Sequence, residues 1–457
     1  MVRKLGGLEQ YFFQRSDLNL HSCFSVGVKL NELPSKEILS IALSKVIQAH
    51  YQLYSNCFEE DENLIIKPIE NIQFNDVVDY KPWVQYEEEE VNYILKKYNF
   101  KYRVSKPLWK IVVLPKMNSI ILALDHLIFD GMSTVIFFKE LINQFLTLDN
   151  GSKHQFLEML YEYEPQFNIE ESSHPYENLP IPLRWKIKRP IVKTLFTISP
   201  TTVVSQDHSL IHFHDYKLPD DFLDPNEKGT EEYYVRNNHR QVRIKLNSEQ
   251  LDSWRQKCKQ HGVTLTSFLI SLFYKALGNI DKGTYEGEAV KIEVPINTRE
   301  RIAEDGRFKN TIGPFVAGLE FHENLDFSRD IWDISTKVNS IIQQKANEQL
   351  MESINEARLL ELVDVRKFMK LKMDNARNPY STFEVTNVGF QDFGIGEHDK
   401  YQVEDAFFHE PQLFGHIMTY SIISTPRGGL TCCLAYPRNL DSELTKMHDY
   451  INEELKV

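Results

Sequence analysis

Between residues 37 and 50 the apolar positions Ile38, Leu39, Ile41, Ala42, Val46 and Ile47 recur at helical spacing, which predicts a helix. Leu108 to Leu114 and Ser119 to Leu124 read instead as strands, and the Pro115-Lys-Met-Asn118 turn between them makes them a hairpin. The second strand is apolar at five consecutive positions, Ile120 to Leu124, a pattern that calls for burial on both faces. Val135, Phe138, Leu141, Ile142 and Phe145 then return to three- and four-residue spacing. A helix follows, so residues 125–131 form a strand-to-helix loop.

Farther along, Gln241 to Leu246 is expected to be a strand, and Ser248 to open a polar helix that stops near Gly262. Thr264 to Leu277 is apolar around most of its circumference, with Thr264 or Thr266 as its cap. Further strands are expected at Ala289 to Ile296, Phe315 to Phe321, Ser381 to Thr386, Met418 to Ser424 and Leu430 to Tyr436. The alternation is that of an α/β chain. Between Glu162 and Thr230 the prolines Pro165, Pro175, Pro180, Pro182, Pro190, Pro200, Pro219 and Pro225 mark a crossover. At roughly 100–200 residues per domain, two units fit the length. The expected division is 1–165, a crossover at 166–230, and 231–457.

Composition narrows the function. With 42% hydrophobic and 26% charged residues the chain is an ordinary globular protein, and 52 basic against 65 acidic residues leave a charge of −13. That balance excludes a protein devoted to nucleic acid phosphates. Cys23, Cys57, Cys258, Cys432 and Cys433 form neither a disulfide framework nor a C-x-x-C site, which suits a reducing compartment. Neither a signal sequence nor a membrane span is legible, so the expected location is the cytoplasm. The acidic run Glu87 to Glu90 reads as a solvated helix start.

His126-Leu-Ile-Phe-Asp130-Gly131 is the most informative stretch. A histidine at the end of a buried strand can be aimed into a cleft as a general base, while Gly131 permits a sharp turn and Asp130 can lock the loop by pairing with an arginine. As a bare pattern it is equally a loop histidine with a turn aspartate.

Other segments decide between these. They are Leu8-Glu-Gln-Tyr-Phe-Phe13, Pro107-Leu-Trp-Lys110, Met132-Ser133, His261-Gly-Val-Thr-Leu-Thr266, Val294-Pro-Ile-Asn-Thr-Arg299, Ile312-Gly-Pro-Phe315, Thr386-Asn-Val-Gly389 and Gly428-Gly-Leu430. With the His126 motif, and in this order, they resemble the yeast alcohol acetyltransferase group of the chloramphenicol-acetyltransferase-like, CoA-dependent acyltransferase superfamily. The resemblance implies two domains of similar topology with a tunnel between them, acetyl-CoA as donor, no metal, and His126 as general base for direct transfer in a ternary complex. It implies that Asp130 pairs with Arg299. Thr386 and Asn387 match a polar loop of the family and are candidate oxyanion or substrate contacts, although Asn387 can equally hold a tight turn before Gly389. Ser421 and Ser424 are weaker candidates, set against an ordinary strand face.

Two departures from the family pattern stand out. Asp125 replaces the first histidine of a His-His pair, and an aspartate close to the imidazole would raise the His126 pKa. Asp392-Phe-Gly-Ile-Gly396 is similar to a structural loop of plant acyltransferases and is given no catalytic role. His212 and His214 share a strand face without a third ligand, which favours a non-metal reading. Leu183 to Phe196 mixes basic residues with Trp185 and aliphatics; it is either a packed crossover or a segment touching a membrane or CoA phosphates.

The resemblance implies an acetyl-CoA-dependent O-acetyltransferase of a hydrophobic alcohol, acting as a monomer in the cytoplasm or at the periphery of the endoplasmic reticulum or lipid droplets. The alternatives are an N-acetyltransferase of a sphingoid base or other long-chain amine, and a binding protein that keeps the fold without catalysis.

Overall fold

The computed structural model describes residues 3–21, 23–61, 63–169, 173–204, 207, 209–216, 239–374, 379–412 and 415–456. Pro219, Pro225 and the rest of 217–230 at the end of the expected crossover lie outside these.

The hairpin forms as its pattern requires. Trp109–Leu114 and Ser119–Leu124 pair antiparallel, and between them Asn118 takes the left-handed conformation (φ 50°) that a short polar side chain tolerates. All six residues of Ser119–Leu124 are buried, because both faces of the strand are covered. The first sheet has five strands in the order Val403–His409, Phe24–Leu30, Ser119–Leu124, Trp109–Leu114 and Val78–Tyr80. The helices Lys36–Ala49 and Gly131–Leu148 contribute to its core through Ile38, Leu43, Ile47, Phe137, Leu141 and Phe145.

The second sheet has six strands in the order His239–Leu246, Gly429–Pro437, His416–Thr425, Ser381–Phe390, Ala289–Asn297 and Val316–Asn324. Leu265–Ala276 packs Phe268, Leu272 and Phe273 into the second core, and Thr264 caps it by accepting from Ser267 N at 3.2 Å. Glu87 to Glu90 sit at the start of the helix Glu88–Lys97, where carboxylates meet the positive end of the dipole.

One connection escapes a linear division of the chain. Val403–His409, from the C-terminal part of the sequence, pairs antiparallel with Phe24–Leu30 and completes the first sheet. Phe24–Leu30 is buried at six of its seven positions, so an open edge there would strand unpaired backbone groups; the incoming strand covers them. Among the described residues no helix is long and apolar enough to cross a membrane. All five cysteines are buried.

Candidate active site

The His126 loop is held at both ends. On its N-terminal side Asp125 is fully buried, and its Oδ1 accepts from Tyr102 Oη at 2.8 Å and from Leu127 N at 2.8 Å. On the other side Asp130 caps the helix Gly131–Leu148, its Oδ1 accepting from Ser133 N at 2.8 Å.

Arg299 completes the clamp from the second half of the chain. Its Nη1 donates to Asp130 Oδ2 at 2.8 Å and its Nη2 to Asp130 Oδ1 at 2.9 Å, while Phe315 N donates to Oδ2 at 3.0 Å. The guanidinium also donates to the carbonyls of Thr311 and Gly313 at 2.8 Å each, and is only 1% exposed. Burial pushes the Asp130 pKa up, but the Arg299 charge and the hydrogen bonds from Arg299 and Ser133 outweigh it and hold the carboxyl below the usual range. A Cβ on Gly131 would come within 2.8 Å of Val388 Cγ1, so the start of the helix packs closely on the second sheet.

The imidazole itself stacks on Phe12, with ring centroids 4.1 Å apart and an interplanar angle of 21°, and lies 5.1 Å from the Phe24 ring. Nδ1 is buried without a hydrogen-bond partner. Burial pushes the His126 pKa down to about 3, and the nearby charge of Arg15 acts in the same direction; the carbonyls of His126 and Phe129 and the charge of Asp130 oppose it. This corrects the expectation attached to Asp125. Asp125 Oδ1 accepts from Tyr102 and Leu127, and burial with the Arg15 charge keeps the His126 ring neutral rather than charged.

A cavity of about 560 Å³ opens between the two halves. From the first half Tyr11, Phe12, Arg15, His21, His126 and Gly131 line it; from the second, Glu293, Glu320, Glu384, Thr386, Glu410 and His416. The helix Gly7–Asp17 brings Phe12 and Arg15 there, anchored by a buried ion pair in which Arg3 Nη1 donates to Glu9 Oε2 at 2.8 Å. Arg15 is 4% exposed, its guanidinium lies 4.8 Å from the Phe12 ring centroid, and Nε and Nη2 have no hydrogen-bond partner.

The sheet supplies a row of carboxylates. Glu293 is in register with Glu320 on one neighbouring strand and with Glu384 on the other, so all three side chains share one face. Glu320 pairs with Lys291, 2.7 Å away. Burial, then the charge of Glu320, pushes the Glu293 pKa up to about 7. Burial pushes Glu410 up to about 7 as well, and raises Glu384 well above the usual range together with the charges of Glu410 and Glu293. His416 Nε2 lies 3.2 Å from Glu384 Oε2.

Of the polar residues singled out by sequence, Thr386 lines this cavity. Asn387 does not: its Nδ2 donates to Thr266 at 3.0 Å and its Oδ1 accepts from Gly389 N at 2.8 Å, the turn-holding alternative. Gly389 there has φ 85°, where a side chain would be strained. Ser421 sits one strand over from Thr386, 1% exposed, with its Oγ accepting from Glu410 N at 3.3 Å, and Ser424 Oγ donates to the Gly389 carbonyl at 3.3 Å. Both bond backbone groups, Ser421 that of the segment after Val403–His409 and Ser424 that of the neighbouring strand. Phe393, in the Asp392 loop, packs on Phe138 away from the cavity. Among the described residues no group of three or more His, Cys, Asp or Glu side chains is placed to hold a metal. Sequence reasoning missed Arg15 and the glutamates; strands were expected through Glu293 and Glu384, but a local pattern does not show that the two strands pair with these side chains on one face.

Two sheets with a cavity between them make a two-domain fold of the chloramphenicol-acetyltransferase-like type. The chain belongs to the alcohol acetyltransferase family, whose profile matches residues 4–453. It is 37% identical over 473 aligned positions to N-acetyltransferase SLI1 of Saccharomyces cerevisiae, covering 99% of this chain and 100% of that one. It is 22% identical to Alcohol O-acetyltransferase 2 of the same yeast, over 70% of this chain and 68% of that one. Among solved structures it is similar to TRI3 trichothecene 15-O-acetyltransferase from Fusarium sporotrichioides (TM-score 0.68, 12% identity, 99% and 95% of the two chains). The protein is thus an acetyltransferase, and its family implies an acyl-CoA donor and a separate acceptor.

Proposed function

We propose that the protein transfers an acetyl group from acetyl-CoA to the nitrogen of a hydrophobic amine. The observation that carries the reading is the carboxylate row: Glu293 and Glu384, with Glu410, line the same cavity as His126. Carboxyls held near neutrality by burial become anionic when a cation arrives, and an ammonium is the acceptor group that supplies one. An alcohol, the first expectation from sequence, gives them nothing to neutralise. The full-length relative that is an N-acetyltransferase supports the same choice.

The acceptor enters as an ammonium and passes one proton to the Glu293 or Glu410 carboxylate, from which it leaves to solvent. The free amine nitrogen attacks the thioester carbonyl carbon, and the π electrons move to the carbonyl oxygen. Arg15, whose Nε and Nη2 lack protein partners, hydrogen-bonds that oxyanion. His126, neutral and exposed to the cavity, takes the second nitrogen proton through Nε2. Collapse breaks the carbon–sulfur bond, and His126 returns its proton to the departing CoA thiolate. No covalent acyl-enzyme is needed. Asp130 and Arg299 position the loop and do not touch the substrate.

The test is thiol release from acetyl-CoA with a long-chain amine, with a branched medium-chain alcohol and with no acceptor, and the product identified by mass. Amide formation that vanishes in folded His126→Ala is the expected result. Ester formation with the amine left untouched overturns the amine reading; turnover without His126 overturns its assignment as base.

A further inference from the structure

The helix Leu183–Ile198, in the crossover between the halves, carries an unsatisfied apolar face. Leu183, Ile187, Ile191 and Leu195 follow one another at four-residue steps, with Ile198 beside them, and they are 73, 59, 53, 43 and 77% exposed. That is a continuous stripe along one side of sixteen residues. The opposite side is packed by Trp185 and Phe196, both buried.

Charge identifies what covers the stripe. The helix contains five cations, Arg184, Lys186, Lys188, Arg189 and Lys193, and no acid, in a chain whose overall charge is −13. Arg184, Lys188 and Arg189 pair with Glu352, Glu356 and Glu361. Lys186 and Lys193 are exposed and form no ion pair among the described residues. An apolar stripe flanked by free lysines on an otherwise acidic protein is complementary to an anionic lipid surface, and less so to a second copy of this acidic chain.

The position of the helix gives the surface a use. Trp185 Nε1 donates to Glu352 Oε2 at 2.9 Å, and Phe196 packs on Phe368 with ring centroids 6.4 Å apart. Glu352, Glu356 and Phe368 all line the cavity that holds His126. The helix therefore lies across the rim of the cavity, apolar side outward. We infer that Leu183–Ile198 docks this rim on an anionic membrane surface, so that an amphiphilic acceptor passes from the bilayer into the cavity without crossing water. The use made of the surface rests on the amine-transfer reading; the docking does not.

The experiment has two readouts on the full chain. The first is co-flotation with vesicles of phosphatidylcholine alone and of phosphatidylcholine mixed with phosphatidylserine, for wild type, Ile187→Asp/Ile191→Asp and Lys186→Glu/Lys193→Glu, all at exposed positions. Wild type is expected to float with the anionic vesicles and release at high salt, and each variant to bind about tenfold or more weakly with unchanged melting temperature. The second is turnover of a long-chain amine presented in anionic vesicles against a short water-soluble amine. The variants are expected to lose rate with the first and keep it with the second. Wild type that ignores anionic vesicles, variants that bind as wild type does, or a solution dimer that buries Ile187 and Ile191 would each overturn the inference. Vesicle binding without turnover of either amine retains it and rejects the function proposed above instead.

Discussion

Arg299 grips Asp130 with both ends of its guanidinium across a separation of 169 residues, and the pair is the bolt between the two halves of the protein at the His126 loop. Removing one partner leaves the other as a buried charge, a loss of about 3–5 kcal/mol. Asp130→Asn is expected to lower the denaturation midpoint as much as it lowers activity. A variant melting as wild type does, with normal turnover, would refute the role. Because the folded Asp130 pKa lies below its unfolded value, the stabilisation is complete above the ordinary aspartate range, about 4, and is lost as pH falls through the depressed folded value. Acid titration of the melting temperature, wild type against Arg299→Met, measures it.

His126→Ala removes the proposed base from a ring stack on Phe12, and its Nδ1 has no hydrogen-bond partner to lose. Activity is expected to fall about 10²–10⁴-fold. The fold is expected to persist, as a circular dichroism melt checks.

Arg15→Gln is expected to lower kcat by about 10²–10³-fold with little change in KM for acetyl-CoA, because an oxyanion donor acts only in the transition state. It also removes a charge that holds the His126 pKa down, so an NMR titration of His126 should show its pKa rising. Recovery of rate by added guanidinium ion in Arg15→Ala separates this role from packing. A loss confined to KM would reassign Arg15 to ground-state binding.

In the proposed mechanism the glutamates set the pH dependence. Burial pushes Glu293 and Glu410 up to about 7, so kcat/KM for an amine is expected to rise as pH increases through that region, while His126 stays neutral throughout. Glu293→Gln/Glu410→Gln is expected to flatten this limb and raise KM for the amine while sparing KM for acetyl-CoA. An unchanged profile would remove the carboxylates from the mechanism.

Periodicity determined the local elements well. Ser119–Leu124 is buried on both faces as its five apolar residues require, and Gly131–Leu148 and Leu265–Ala276 follow helical spacing closely, because local burial is written in local pattern. The membership of His126, Asp130 and Arg299 in one family pattern was legible for the same reason: each sits in a short segment with its own signature. What tertiary structure alone decided is how distant faces meet. The return of Val403–His409 to the first sheet depends on an edge that exists only after Phe24–Leu30 is buried. The carboxylate row depends on the register among three strands drawn from positions 293, 320 and 384. The neutrality of His126 depends on burial under Phe12 and on a charge at Arg15, more than a hundred positions earlier in the chain. Sequence patterns report the neighbours a residue has along its own element; electrostatics and desolvation are sums over every element packed around it, and those are known only once the chain has closed.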